Sequence, residues 1–350
     1  MTDLEVDKAT RPASPEATGP DGFQRRHPVV GFPIAVVYKF FDDQGNFLAA
    51  MLTYYAFVAI FPLLLLASSI FGFVLQGNPE LQQRALDSAL AQFPIIGDQL
   101  GRPEGLTGST TAVVVGSLAA LYGALGLGQS IQNVMNTAWA VPRNSRPNPL
   151  LMRVRSLLLL VTAGLAVLVI SIVSALGSST EVFGPRINAG IRWLILIGTV
   201  LLVSAGLTVL FRLAAGRRSS WSRAAPGAVV VAVLWQVLQY AGTVYATSVL
   251  AETTRMNQTF GLVLGLIGLI FLAAVMGVLG IEVNVVFARR LWPRALLTPF
   301  TDAVDLTEAD RHAYALYAQA QRHKGFESVV VRFDGRDGDT HEIPQQTPDR

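Results

Sequence analysis

The chain has 350 residues, 51% of them hydrophobic and only 15% charged, with a formal charge of +3 and no cysteine. A soluble domain carries about 25% charged residues, so the composition excludes an ordinary soluble globular protein and indicates a polytopic membrane protein. The missing cysteines exclude disulfide scaffolds, thiolate-ligated zinc, iron–sulfur clusters and thiol nucleophiles. The small basic excess reads as loop arginine orienting a membrane protein, not as a nucleic-acid footprint.

Residues 1–27 combine Pro12, Pro15, Gly19, Pro20 and Gly22 with charges and few large apolar side chains. Such a segment buries too little surface to offset its ordering entropy, so a disordered tail is expected, and no signal peptide. Ile34, Val37, Phe40 and Phe41 then recur at helical spacing and suggest an interfacial elbow helix. Six apolar stretches follow, at about 47–75, 109–138, 154–177, 191–211, 226–250 and 260–287, each near or above the ~20 residues that cross a bilayer core as a helix. Pro62 inside the first stretch removes a backbone hydrogen bond and predicts a kink. Between the first two stretches, Leu81, Ala85, Leu86, Ala89, Leu90 and Phe93 predict an amphipathic helix, lying either on the outer membrane surface or on the protein itself. Beyond about residue 295 the chain is polar. Thr307-x-x-Asp310 fits a capping box opening a short helix through about Arg322, and Ser328 to Phe333 followed by Asp334-Gly335 reads as a strand entering a hairpin turn.

The arginines orient the spans. Arg25, Arg26 and Lys39 precede the first. Arg143, Arg146, Arg153 and Arg155 lie between the second and third, Arg212, Arg217, Arg218 and Arg223 between the fourth and fifth, and Arg289, Arg290 and Arg294 after the sixth. These fourteen basic residues face five on the other side: Arg84, Arg102, Arg186, Arg192 and Arg255. The positive-inside rule then puts both termini in the cytoplasm. The expected fold class is an all-α polytopic membrane protein of six transmembrane helices, with amphipathic interfacial helices and short polar cytoplasmic tails. Its expected parts are a disordered tail (1–27), a six-helix membrane domain (28–294) and a polar tail (295–350).

No catalytic constellation is visible. His27, His312, His323 and His341 all lie in the polar ends without metal-ligand spacing, and no phosphate-binding loop or Gly-x-Ser-x-Gly elbow occurs. The chain is therefore read as no enzyme, with no cofactor and no metal site. Gly123-x-x-Gly126-x-Gly128, and Gly261, Gly265, Gly268, Gly277 and Gly280, lie inside spans and read as close helix packing. Glu282 is the one acidic residue in a span. Arg289 follows seven residues on, which puts Glu282 roughly 10 Å from the basic edge at 1.5 Å per residue. It reads as a salt bridge to an arginine such as Arg153, Arg155 or Arg212, as a proton- or substrate-linked group, or as an interfacial carboxylate. Gln129, Gln132, Asn133 and Asn136 fall on one helix face. With Gln236, Gln239 and Tyr240, and with Tyr54 and Tyr55, they should turn inward, either bonding between helices or lining a polar cavity. Asn257 and Thr259 stand where an N-cap of the last span would.

Several of these residues form a pattern. Ala49-Ala50-x-Leu52-Thr53-Tyr54-Tyr55-Ala56-Phe57 leading to Phe61-Pro62-Leu63-Leu64, the stretch from Asn133 to Asn136, Asn257-Gln258-Thr259-Phe260-Gly261, and Gly280-Ile281-Glu282-Val283-Asn284 occur in order. Together they resemble the YihY/virulence factor BrkB family over about residues 35–295. Phe260 replaces the family's usual tyrosine, and Tyr122-Gly123 stands where many members carry tryptophan. The resemblance implies a six-helix bacterial inner-membrane protein. Members once bore the label ribonuclease BN. This chain lacks a His-x-His-x-Asp-His cluster and a basic, aromatic-lined domain for RNA, so ribonuclease activity and nucleic-acid partners are not expected. The resemblance points instead to membrane lipids as partners, and to transport of a lipid or amphiphile or to envelope maintenance. A non-transporting scaffold recruiting partners through its tails is the other reading. The candidate polar cavity comprises Glu282, Asn284, Asn257, Asn133, Asn136, Gln129, Gln236, Tyr54 and Tyr55, beside the kink at Pro62.

Overall fold

The computed structural model describes residues 19–74, 110–177, 189–215, 220–244, 255–296, 298, 304–334 and 340–342. Helices dominate: α1 (Gly19–Arg26), α2 (Pro28–Asp42), α3 (Gly45–Val74), α4 (Thr110–Ala138), α5 (Pro149–Gly177), α6 (Ala189–Ala215), α7 (Trp221–Val244), α8 (Arg255–Arg289) and α9 (Glu308–Ala320). Among the described residues, four apolar stretches are long enough to cross a membrane: Pro149–Ala166, Leu196–Ala215, Trp221–Gly242 and Val263–Arg289. Gly45–Ile60 is a shorter apolar helix. The first two stretches are only 11% buried within the protein. On α5, Leu150, Val154, Leu158, Val161 and Leu165 form one exposed stripe at spacings of three and four. Apolar surface of that extent needs a cover other than water, and lipid is the cover a span finds.

The chain folds as two compact units. One holds residues 44–136 and 147–284. In it α6 packs along α7 and against α5, and α3 touches α5. Ile60 of α3, Leu238 of α7, and Leu266 and Leu269 of α8 make a buried core, with Phe57, Trp235 and Met276 packed on it. α3 runs on through Pro62, but side chains from Phe61 onward lie outside the described residues, as does the segment 81–93 expected to form an amphipathic helix. α8 is already running at Arg255, so Asn257 and Thr259 lie inside it and neither is its cap.

The other unit gathers residues 1–43, 137–146 and 285–350. Three segments distant in the chain share its polar core. The expected disordered tail includes α1, whereas residues 1–18 lie outside the description. Asp21 pairs with Arg25 one turn on, at 2.7 Å. Long-range contacts then hold the helix: the Gln24 amide donates to the Arg294 carbonyl, Arg25 to the Asp305 carbonyl at 3.0 Å, and the Leu296 N–H to Asp21 at 3.0 Å. Gly31 lets α2 pass close to α1, since a Cβ there would stand 2.9 Å from the Gln24 carbonyl oxygen. In the expected elbow, Phe40 is buried, and Val37 and Phe41 face outward. The capping box opens α9 as the sequence predicts: Asp310 N–H donates to Thr307 Oγ1 at 3.1 Å and Thr307 N–H to Asp310 at 2.9 Å. A short antiparallel pair, β1 (Arg332–Asp334) and β2 (Thr340–Glu342), sets Phe333 opposite His341; the strand starts later than the sequence suggested, 328–331 lie outside it, and the residues joining the two strands lie outside the described ones.

α8 ends in a left-handed cap. Arg290 has φ +54° and the N–H of the fully buried Leu291 donates to the Val286 carbonyl at 3.1 Å, which satisfies an orphan carbonyl of the last turn.

Candidate functional site

In the helical unit, the Gly-Ile-Glu-Val-Asn segment of α8 divides its work between two faces. Gly280 and Asn284, four apart, share one face, and Glu282 lies about 200° round from Gly280. The Gly280 and Asn284 face meets α7. The Asn284 side-chain oxygen accepts from the Gly227 N–H at 2.7 Å. A Cβ on Gly227 would strike the Gly280 carbonyl oxygen and the Asn284 amide, and one on Gly280 would lie 3.0 Å from the Gly227 carbonyl oxygen. Two glycines thus let the backbones of α7 and α8 nearly touch, with a buried amide fastening the crossing. Glu282 is completely buried.

The amide face of α4 is used in the same way. Gln132, buried, donates through Nε2 to the Met152 carbonyl at 2.8 Å and to Ser156 Oγ at 2.9 Å, both on α5. Gly128 permits the approach, because its Cβ would come within 2.8 Å of the Ser156 backbone. Asn136 is buried, and Gln129 and Asn133 are partly so. Gly123 faces Val58 and Ala59, and Gly126 the ring of Tyr55, so the expected packing role of these glycines holds. On α8, by contrast, nothing lies within 4 Å of a Cβ built on Gly268 or Gly277. Tyr55 also meets Tyr122, with ring centroids 6.1 Å apart. Tyr54 touches Tyr55 but is 56% exposed, and Tyr240 is also exposed, so these two turn outward where the sequence suggested inward. A tyrosine tolerates that because its ring suits lipid and its hydroxyl can reach a wet interface. Gln236 is partly buried on α7. The side chains of Asn257 and Pro62 lie outside the described residues.

The polar unit holds a charge cluster that sequence reasoning missed. Arg294 is fully buried. Its Nε pairs with Asp310, and its Nη2 donates to Asp42 at 3.0 Å. The Tyr314 ring lies 5.5 Å away. Lys39, also buried, pairs with Asp43 one turn on and donates to the Ala138 carbonyl at 3.0 Å, with the Tyr317 ring 5.1 Å from its Nζ. Asp310 further accepts from the Ala295 N–H at 2.9 Å. Lys39 thus ties the end of α2 to the end of α4, and Arg294 ties the end of α2 and the segment after α8 to α9. Burial pushes the Asp42 carboxyl above its ordinary value, and the Arg294 charge only partly offsets this. Burial opposes the Arg294 charge too, yet Asp310 and Asp42 outweigh it and hold the guanidinium more firmly protonated than usual. Lys39 and Arg294 had been counted as orienting loop charges. A local signal marks Lys39 alone: Lys39 and Asp43 stand four apart at the end of an otherwise apolar helix.

Comparison with known proteins gives a family. The sequence profile of the virulence factor BrkB family matches residues 36–300. The chain is 24% identical over 267 residues to the inner membrane protein YhjD of Escherichia coli strain K12, covering 71% of this chain and 79% of that protein. No solved structure matches.

Proposed function

The chain belongs to the virulence factor BrkB family, and from that membership we propose that it is a bacterial inner-membrane protein of six spans, both termini cytoplasmic, that carries a lipid or amphiphile across or within the membrane in support of the envelope. Inner-membrane placement follows the relative of that description. In this reading the six spans are α3 to α8, and the asymmetry of fourteen basic residues to five supports the orientation. The observation that carries the transport reading is Glu282, a completely buried carboxylate within an apolar helix. Such groups are costly, and they typically mark ion or substrate paths. The buried amides of α4 and α8 supply polar groups in the same set of helices. No catalytic role is assigned.

The test is reconstitution. Purified protein in liposomes should move a labelled phospholipid or amphiphile, and Glu282→Gln should change the rate at least several-fold while the protein stays folded. No movement across a broad lipid panel overturns the reading. Unchanged transport with lowered stability in Glu282→Gln reduces that carboxylate to a packing role. A second reading is a scaffold that recruits partners through its polar tail, favoured by the firm attachment of α9 through Asp310. Removing residues 322–350, which leaves α9 and its ion pairs intact, should then abolish function but not insertion. A fully working truncation removes this reading.

A further inference from the structure

α2 is apolar on both faces. Its inward face buries Ala35, Val36 and Phe40 together with Lys39, and Asp42 and Asp43 close its end on Arg294 and Lys39. Val29, Pro33, Val37 and Phe41, one every four residues, form a single exposed stripe, with Val29 86% and Phe41 61% exposed. A helix in water turns polar side chains outward and keeps its apolar ones inward. A helix with apolar side chains on its outward face as well suits surroundings that are themselves apolar. Chain connectivity says what those surroundings are. The polar unit joins the apolar helices at four points: after Asp43, before Thr137, after Arg146 and before Val285. α3 begins at Gly45, and the four residues from Phe41 span at most about 14 Å, so the end of the stripe cannot lie far from where the chain enters hydrocarbon. The exposed Arg26 precedes the stripe, and the exposed Arg290 follows α8 in the same unit. These are the charges that anionic headgroups attract.

We propose that α2 seats Val29, Pro33, Val37 and Phe41 in the acyl-chain margin of the bilayer, so that the polar unit is anchored to the membrane surface by this helix as well as by the spans. The proposal rests on the chain being membrane-integral and is independent of transport. The chain has no cysteine, so single nitroxide labels can be placed directly at Pro33→Cys, Val37→Cys and Phe41→Cys, with the exposed Gln321→Cys as the aqueous reference. In liposomes of phosphatidylethanolamine and phosphatidylglycerol, the ratio of collisions with oxygen to collisions with a water-soluble nickel chelate should be several-fold higher at the three stripe positions than at residue 321. Nickel access equal to that of residue 321 means that water covers the stripe and overturns the proposal. Exclusion of both reagents means that protein covers it, a second copy or another chain, and also overturns it. If a labelled variant does not elute as the parent does, Val37→Trp with brominated lipids replaces it, read as the emission gained over the parent with its five tryptophans: strong quenching of that added emission supports the proposal, and none overturns it.

Discussion

Arg294 meets two carboxylates from opposite ends of the sequence, and they are held differently. Asp310 is fully buried and also accepts from two backbone N–H groups, of Ala295 and Thr307. Asp42 is partly open to solvent, and its carboxyl is pushed up by burial. Removing one partner of a buried pair costs about 3–5 kcal/mol because the other charge is left uncompensated. Asp310→Ala should therefore lower stability by about that much, whereas Asp42→Asn should cost roughly 1 kcal/mol or less. Thermal unfolding in detergent, followed by tryptophan fluorescence, separates the two, and equal losses would contradict the asymmetry. His312 behaves in the opposite sense to Asp42. Burial, and then the Arg289 charge, lower its pKa below the ordinary 6.5, with Glu308 opposing in part. A depressed histidine contributes stability that is complete above pH 6.5 and is lost as pH falls through the depressed value. His312→Gln should flatten the fall in melting temperature between about pH 7.5 and about pH 5. An unchanged acid limb would show that the histidine contributes nothing there. At this scale the buried carboxylate of Glu282 was legible, because one acid among apolar residues stands out in composition. The charge cluster was not. Arg294 looks like any loop arginine until Asp42, 252 positions away, is brought beside it.

Helix crossings depend on positions where a methyl group has no room. Gly227→Ala would drive a Cβ into the Gly280 carbonyl, which belongs to the backbone and cannot rotate away. Overpacking of this kind costs about 1–3 kcal/mol or more, so this variant should unfold at a lower temperature and lose the Asn284 hydrogen bond. Gly268→Ala meets nothing within 4 Å and should be neutral or slightly stabilising, since alanine favours helix by about 1 kcal/mol over glycine. Equal melting temperatures for the two variants would refute the close crossing. The sequence showed that these glycines sit in spans. It did not show which of them touch, because a helical repeat specifies a face but not the neighbour that face meets. α1 makes the same point. Its sequence, with Pro20 and Gly22, reads as disorder, and it is helical because partners near residues 294–305 bind it.

At the scale of the molecule, the polar unit is assembled from three separate stretches of chain, and its integrity depends on α9. A chain ending after Gln321 keeps Thr307, Asp310, Tyr314 and Tyr317 and should elute as a single sharp species in detergent. A chain ending before Thr307 strands the buried Arg294 and should aggregate or be degraded. Similar behaviour of the two truncations would mean that the ionic network is dispensable. Lys39 and Arg294 are also two of the fourteen basic residues on which the proposed orientation rests, yet both are neutralised by buried partners, so under that proposal the exposed arginines carry the asymmetry.

The amino-acid sequence by itself determined that this is a helical membrane protein, where its apolar helices run, how α9 is capped and which family it joins. Each of these is a local property, set by hydropathy over about twenty residues or by side chains three to four apart. Only the tertiary structure decided which glycines form crossings, which face of α2 is left bare, and which charges are ion pairs. Those outcomes depend on segments far apart in the chain meeting in space, and no local pattern encodes a meeting of that kind.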